Sequence, residues 1–211
     1  MSARRRAWPV LARPFYDRPT LDVAVGLLGK VLVHDGPGGL TSGVIVEVES
    51  YIGEDDPACH AASGPTSRNQ PLYGEPGRAY VYFNYGVHYL VNAVTEGAGR
   101  PAAVLIRALD PLDGVALMHE RRGSRRDGSA RSGHDLCRGP GNLTKAMGIG
   151  PERNRTDLTR ARARGGGLWI EDRGVRVARV AWTTRVGLRV GTDRPWRCLV
   201  SGHPAVSGSG V

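Results

Sequence analysis

The sequence has few cysteines and no long apolar run, and these two shortages exclude whole classes of protein. Its three cysteines, Cys59, Cys137 and Cys198, are far apart and odd in number. This argues against a disulfide framework and against a compact cysteine-based zinc site. No apolar run reaches the roughly 18 residues that suggest a membrane span. The basic N-terminal segment is too short in apolar residues, and too broken by proline, for a signal peptide. We therefore expect a cytoplasmic protein that does not engage a membrane.

Lysine is also scarce, although the chain is strongly basic. The 211 residues carry a formal net charge of +9, yet Lys30 and Lys145 are the only lysines. A polyanion such as nucleic acid is the simplest partner for such a charge. Arginine suits this partner because its guanidinium can make two bonds to one phosphate. Biased codon usage would give the same excess of arginine, so charge alone does not decide the partner.

The residue pattern predicts one α+β domain that spans residues 1–211. Residues 1–12 and 207–211 are expected to be flexible tails, and the arginine-rich segment 121–138 a basic loop. Strand-like runs within 79–95 flank Asn-Tyr-Gly, which is typical of a hairpin. The other expected elements are helices at 20–28, 113–121 and 142–148 and strands at 30–34, 41–51, 104–108, 168–172 (LWIED), 185–191 (RVGLRVG) and 197–202 (RCLVSG). Strands joined by hairpins and loops favour α+β over a parallel βαβ sheet.

Residues 46–60, VEVESYIGEDDPACH, combine a β-branched strand pattern with acidic side chains. Because side chains alternate along a strand, Ile45, Glu47, Glu49 and Tyr51 should share one face, with valines on the other. Unpaired buried carboxylates are costly, so the acidic face is expected to line a cleft. The alternative is an exposed edge strand whose glutamates only pair with surface arginines.

Three chemistries fit this stretch. A pair of carboxylates could hydrolyse a glycosidic bond. Carboxylates and a histidine could instead bind a divalent metal, as in a phosphodiesterase, and the candidates are Glu47, Glu49, Asp55, Asp56 and His60. Glu49 could also act alone as a base toward one water. The residue types by themselves leave all three open.

Tyrosines concentrate beside the acidic stretch. All of the seven except Tyr16 fall between positions 51 and 89. Bases stack on aromatic rings, and wedges at the tips of elements can separate base steps. Tyr85 lies at the predicted hairpin tip, where a large ring has little core to bury into and could enter a nucleic-acid groove. The alternative is a ring folded back over its own hairpin.

Seven blocks follow one another along the chain: LLGKVLV at 27–33, IVEVESYIGEDDPACH at 45–60, TSRN at 66–69, YVYFNYGVHYLVN at 80–92, AVLIRALDPLDG at 103–114, GPGNLTKAMGI at 139–149 and PWRCLVSG at 195–202. In this order they resemble the alkyladenine (3-methyladenine) DNA glycosylases of the mammalian type, which have many bacterial members. The resemblance covers residues 13–207. It implies a single compact α+β domain with a curved antiparallel sheet, surrounding helices and a protruding hairpin that inserts into DNA.

The resemblance also implies a role for individual residues. Glu49 would be the general base, Arg107 would hold Glu49 and the attacking water, and the backbone carbonyl of Val200 would complete the water site. The pocket for the flipped base would consist of Tyr51, His60, Tyr82 and Asn92, with Asn92 crowding the exocyclic amine of guanine. Tyr85 would be the wedge in the duplex, and Thr66 and Arg68 would contact phosphates. Glu47 is expected to be a structural carboxylate that pairs with an arginine.

The implied activity is that of a monomeric, monofunctional DNA glycosylase of base excision repair, with no metal and no cofactor. It would flip alkylated or deaminated purines out of double-stranded DNA and hydrolyse the N-glycosidic bond, because the reacting atoms are hidden in the stack. A lyase step would need an amine nucleophile, and neither Lys30 nor Lys145 matches one. Two alternatives are a metal-dependent nuclease built on the acidic cluster and a DNA-binding protein that recognises damage without turnover.

Overall fold

The computed structural model describes residues 7–84, 86–161 and 166–208. Four helices of these residues are α1 (Arg13–Tyr16), α2 (Thr20–Leu27), α3 (Val115–Arg122) and α4 (Pro140–Met147). The strands are β1 (Val31–Gly36), β2 (Gly39–Ile52), β3 (Ala79–Asn84), β4 (His88–Val94), β5 (Ala102–Asp113), β6 (Gly167–Glu171), β7 (Val180–Thr183) and β8 (Arg197–Val200). They form one curled antiparallel sheet in the order β3-β4-β5-β2-β1-β6, with β8 pairing with β2 and β7 with β8. The predicted single compact α+β domain is confirmed.

Strand β2 is the centre of the sheet because three strands pair with it. β5 pairs with β2 along one edge. Along the other edge of β2, β1 pairs with residues 39–44 and β8 with residues 47–49. Residues 41–50 are all buried as a result. The exposed-edge alternative is therefore wrong, and the acidic face does not line an open cleft but lies inside the protein.

Two bulges between β2 and β5 change the direction of their side chains. Ile45 pairs with Leu109 and Glu47 with Ala108, which leaves Val46 extra; Val48 then pairs with Ile106, which leaves Arg107 extra. An extra residue locally breaks the alternation of a strand and re-aims a side chain. The second bulge turns Arg107 toward the acidic residues of β2.

The helices pack against the strands of the sheet and enclose part of the core. Helix α2 packs on β2 and β5, and α4 packs on β4 and β5, with α3 beside it. Pro140 opens α4 and Gly148, with a φ of +70°, ends it, as expected for proline at the first turn and a left-handed residue at the end. Of the described helices, none is long and apolar enough to span a membrane.

One predicted strand is wrong, and one predicted helix begins two residues later than expected. Residues 185–191 (RVGLRVG) form a loop, and the strand lies earlier, at Val180–Thr183. Gly187 and Gly191 adopt positive φ values of 76° and 59°, which no strand tolerates. Asp113 does not cap α3 but ends β5, and Gly114 with a φ of +72° precedes the helix.

The ordered chain extends past the predicted tail boundaries. Val10 bridges to Glu171 and Leu11 lies in the core, although both precede residue 13. Ser207, the first residue of the predicted C-terminal tail, is buried. Segment 121–138 begins with the last turn of α3 and contains a 3₁₀ turn at Gly133–Asp135. The predicted wedge Tyr85 lies outside the described residues.

Candidate active site

Glu49 is a fully buried carboxylate held by groups from three elements. Its Oε2 accepts a hydrogen bond of 2.9 Å from the Tyr51 hydroxyl and lies 3.1 Å from Nη1 of Arg107. Its Oε1 accepts a 2.7 Å hydrogen bond from the backbone N–H of Val186. Donors on both oxygens fix the orientation of the carboxylate.

Glu47 is equally buried and shares Arg107 with Glu49, but its other donors are different. Its Oε1 accepts bonds from Nε of Arg107 at 2.8 Å and from Nε of Arg197 at 2.7 Å. Its Oε2 accepts the backbone N–H of Ser207 at 2.6 Å. The expectation that Glu47 is a structural carboxylate paired to an arginine agrees with this geometry.

The sheet order explains how these charges come together. Arg107 comes from β5 on one side of β2 and Arg197 from β8 on the other. Glu47 therefore lies between two guanidinium groups, and one of them, that of Arg107, also reaches Glu49. Burial alone would lower the pKa of Arg107, but Glu49 and Glu47 together raise it above its ordinary value. Arg107 is thus held in its charged form between the two carboxylates.

A pocket lined by aromatic rings adjoins Glu49, and Tyr51 connects the two because it forms a wall of the pocket and donates to Glu49. Its walls are Tyr51, Ala58, His60, Leu72, Tyr80, Tyr82 and Asn92. The centroids of the His60 and Tyr82 rings are 4.4 Å apart, with the rings edge-on. The cavity between these side chains has a volume of only about 30 Å³.

Polar contacts fix the walls of this pocket. Nδ1 of His60 lies 2.9 Å from the Tyr80 hydroxyl, and Nδ2 of Asn92 donates to the Tyr80 carbonyl at 3.0 Å. Burial, and then the nearby Arg68 guanidinium, lower the pKa of His60 below its ordinary value. His60 is therefore neutral at pH 7. Burial, and then Glu49, raise the pKa of Tyr51, so its hydroxyl keeps its proton and donates to Glu49.

Comparison with known proteins identifies the family of this chain. Residues 14–204 match the family model described as "Methylpurine-DNA glycosylase (MPG)". The chain belongs to this family. A protein of Methanocella arvoryzae is 46% identical over 94% of this chain and 96% of its own length. One of Rubrobacter xylanophilus is 49% identical over 84% and 86%, and one of Burkholderia lata 46% over 95% and 93%, respectively. All three bear the name "Putative 3-methyladenine DNA glycosylase".

Membership of the methylpurine-DNA glycosylase family makes this chain a DNA glycosylase, the class of enzyme that starts base excision repair, and makes DNA its substrate. The structure brings six of the predicted site residues together. They are Glu49 and Arg107 at the carboxylate and Tyr51, His60, Tyr82 and Asn92 around the adjoining pocket. Their individual roles remain predictions.

Val200 is not among the residues that surround Glu49 and the aromatic pocket. Arg197 pairs with Glu49 and Leu199 with Glu47, so Val200 lies farther along β8, away from Glu49. Its carbonyl accepts the N–H of His203 at 3.2 Å.

Thr66 and Arg68 are both exposed, and Arg68 donates to the carbonyl of Phe83 on the hairpin at 3.1 Å. Arg68 thus joins the loop after β2 to the hairpin.

The acidic residues that could have formed a metal site do not converge on one point. Glu47 binds two arginines, Glu49 binds Arg107, and Asp56 binds Arg185. Within the described residues, no group of three or more histidine, cysteine or acidic side chains has the arrangement of a metal site. The metal-dependent nuclease therefore gains no support from the geometry.

Sequence reasoning missed two groups that hold the site. The first is the backbone of Val186, in the loop after β7, where the sequence pattern predicts a strand. The second is Asn69, whose Nδ2 donates to the carbonyls of His60 at 2.7 Å and Gly64 at 2.9 Å. Asn69 closes the block TSRN, which served only to indicate the family. A buried amide in a polar loop carries no sequence signal of its own beyond that block.

Proposed function

We propose that this chain is a monofunctional, monomeric glycosylase that hydrolyses the N-glycosidic bond of alkylated or deaminated purines. The substrates would include 3-methyladenine, 7-methylguanine, hypoxanthine and ethenoadenine, flipped out of double-stranded DNA. Neither a metal nor a cofactor takes part, and the product is an abasic site. Glu49 is the general base, and the whole domain, residues 1–211, acts as one unit.

The observation that carries the proposal is the link between Glu49 and the aromatic pocket. Tyr51 donates its hydroxyl to Glu49 and also forms a wall of the pocket. A base bound against Tyr51 would bring its sugar close to the carboxylate. The glycosidic bond of the bound nucleotide would then lie beside Glu49. Holding the reacting groups next to each other in this way can supply a large part of the rate enhancement.

The chemistry follows from the charge of Glu49. As the glycosidic bond breaks through an oxocarbenium-like state, the carboxylate orients and deprotonates a water and stabilises the developing cation. Arg107 keeps the carboxylate in place, with 3.1 Å between Nη1 and Oε2. Cationic leaving groups such as 3-methyladenine depart without protonation, whereas neutral ones such as hypoxanthine need a proton on the purine.

Entry of a purine requires the pocket to widen. A base between two stacked rings needs them roughly 7 Å apart, which is two layers of van der Waals contact. The His60 and Tyr82 rings are 4.4 Å apart and edge-on. Rotation of one of them about its side-chain bonds would open the space, and such rotamer changes are common on binding.

The hairpin supports insertion into the duplex. Strands β3 and β4 pair as far as Asn84 and His88, as predicted. Near the tip, Phe83 and Val87 expose 46% and 66% of their surfaces. Apolar side chains at a protruding tip are suited to separate base steps. We propose that the tip, including Tyr85, fills the space that the flipped nucleotide leaves.

The positions of the lysines support hydrolysis without a lyase step. Nζ of Lys30 pairs with Asp172 at 2.5 Å, and Lys145 is exposed on α4. Neither lines the aromatic pocket. A Schiff base with the sugar would need an amine there. A borohydride-trapped adduct that forms with wild type and disappears in Lys145→Ala would contradict this part of the proposal.

The test is base release in EDTA from duplexes with a single hypoxanthine or ethenoadenine and from methylated DNA, with alkali used later to open abasic sites. Glu49→Gln should slow release about 10²- to 10⁴-fold, the usual contribution of a general base. Glu120→Gln, an exposed glutamate on α3, is the matched control and should retain wild-type rates. Lesion binding without release by wild type would favour a recognition protein, and strand cutting that needs added metal would favour a nuclease.

A further inference from the structure

Asp56 and Arg185 form a buried ion pair beside the site. Both side chains are fully buried, with Nη1 to Oδ2 at 2.6 Å and Nη2 to Oδ1 at 2.8 Å. Nη1 also donates to the carbonyl of Ser50 at 3.0 Å, and Nη2 to that of Gly191 at 3.2 Å. Such a two-point pair fixes the plane of the guanidinium as well as its position. Asp56 and Arg185 are 129 residues apart, so the pair ties the loop after β7 to the turn after β2.

The guanidinium of Arg185 is in contact with a wall of the base pocket. Its central carbon lies 4.7 Å from the centroid of the Tyr51 ring and 5.2 Å from that of Trp196. Contacts of a guanidinium with aromatic rings are favourable, and more so when the cation is desolvated. The pair also shapes the adjoining wall, because Oδ1 of Asp56 accepts the N–H of Ala58 at 3.2 Å.

The same loop also reaches Glu49. The residue after Arg185, Val186, donates its backbone N–H to Oε1 of Glu49 at 2.7 Å. Tyr51, which Arg185 contacts, donates to Oε2. Two of the donors on Glu49 therefore depend on where Arg185 is held.

We infer that Arg185, fixed by Asp56, is a positioning residue that sets the stacking ring of Tyr51 and the orientation of Glu49 at the same time. This inference rests on the proposed function of Glu49 as general base. A pair with a purely structural role would affect folding alone. A positioning pair also alters the rate of base release and the pH at which the carboxylate becomes active.

The direction of the pH effect follows from the groups that face Glu49. They are Tyr51 and Glu47 on β2, Arg107 on β5, Arg197 on β8, and Arg185 with the Val186 N–H on the loop. Loss of a donor or of a nearby cation makes a carboxylate harder to ionise. In Arg185→Lys the loop loses its two-point anchor, so the acid limb of the pH–rate profile should move to higher pH.

The experiment measures single-turnover base release from a hypoxanthine duplex across pH, at a temperature where all variants are folded. Arg185→Lys should be slower on the order of 10²-fold, the effect of misplacing a reacting group by about 1 Å. Asp56→Asn should shift rate and acid limb in the same direction. Arg160→Ala is the control: its side chain is 79% exposed and pairs with Asp157, not with Asp56, so neither quantity should change.

Lower thermal stability of Arg185→Lys and Asp56→Asn, with wild-type rates and acid limbs, would overturn the inference and leave the proposed function standing. No base release by wild type would refute the proposed function itself. If both variants fail to fold, amide exchange in wild type decides. The Val186 N–H should exchange slowly and Glu49→Gln should accelerate it, while fast exchange in both proteins would overturn the inference.

Discussion

Arg107 and Glu49 face each other across β5 and β2, with 3.1 Å between Nη1 and Oε2. The same guanidinium donates from Nε to Glu47 at 2.8 Å. Arg107 thus connects two carboxylates. Glu49 is the proposed general base, and Glu47 holds the sheet together. This arrangement predicts separate consequences for each member of the group.

Replacing Arg107 should cost both stability and activity. In Arg107→Met, two buried carboxylates lose a shared cation, and breaking a buried pair in this way typically destabilises by about 3–5 kcal/mol. Urea unfolding measures the loss. Arg160→Met is the control, since its side chain is 79% exposed and should change stability by less than about 1 kcal/mol. Equal stability of the two variants would show that the network contributes nothing to folding.

The two glutamates should separate stability from catalysis. Glu47→Gln removes the negative charge that Arg107 and Arg197 share and leaves one accepting oxygen where two served these arginines and the Ser207 N–H, so it should lower the unfolding midpoint strongly. Its rate of base release per folded molecule should exceed that of Glu49→Gln by at least about tenfold, because only Glu49 acts as base. Thermal unfolding and single-turnover release on the same samples check this. Equal rates in the two variants would assign a catalytic role to Glu47 as well.

Much of this site could be predicted from local pattern, and the rest depended on contacts between distant segments. The alternation of a strand already placed Glu49 and Tyr51 on one face, and Asn-Tyr-Gly indicated the hairpin. The bulge that turns Arg107 toward them is set by how β2 and β5 pair, and no periodicity within either strand shows it.

The loop after β7 illustrates the limit more clearly. RVGLRVG has the alternation of a strand, but its glycines take up positive φ values and its arginine is held by Asp56, far away in sequence. Tertiary contacts outweighed the local strand preference here. The full burial of Glu47 and Glu49 was likewise unpredictable, because it requires β8, from the far end of the chain, to complete the edge of β2.

Asn92 should control discrimination against guanine. Its amide lines the pocket and is fixed by the Tyr80 carbonyl at 3.0 Å. If it crowds an exocyclic amine, Asn92→Ala should lower the ratio of hypoxanthine release to guanine release by about 10- to 200-fold, the range that one small group in a pocket provides. Release from matched duplexes that contain either base measures the ratio. Asn142→Ala on α4, outside the pocket, should leave it unchanged, and an unchanged ratio in Asn92→Ala would assign discrimination to other groups.

Stability should fall when the solution becomes mildly acidic, because of a buried histidine. Burial, the largest cause, lowers the pKa of His34 below 6.5, and the Arg153 and Arg121 cations lower it further, against an opposing bond to the Met147 carbonyl. Nδ1 of His34 lies 2.8 Å from that carbonyl, and Nε2 accepts from Arg153 at 2.9 Å, so the ring is neutral.

The sign of the effect follows from linkage. Above pH 6.5 His34 is neutral in both the folded and the unfolded chain, and its contribution to stability is complete. As the pH falls below 6.5 the unfolded chain takes up the proton first, so stability declines until the folded pKa is passed. Urea unfolding between pH 7.5 and 5 measures this decline. His34→Gln should be less stable at pH 7.5 but show a shallower fall, whereas a slope equal to that of wild type would assign the acid sensitivity to other groups.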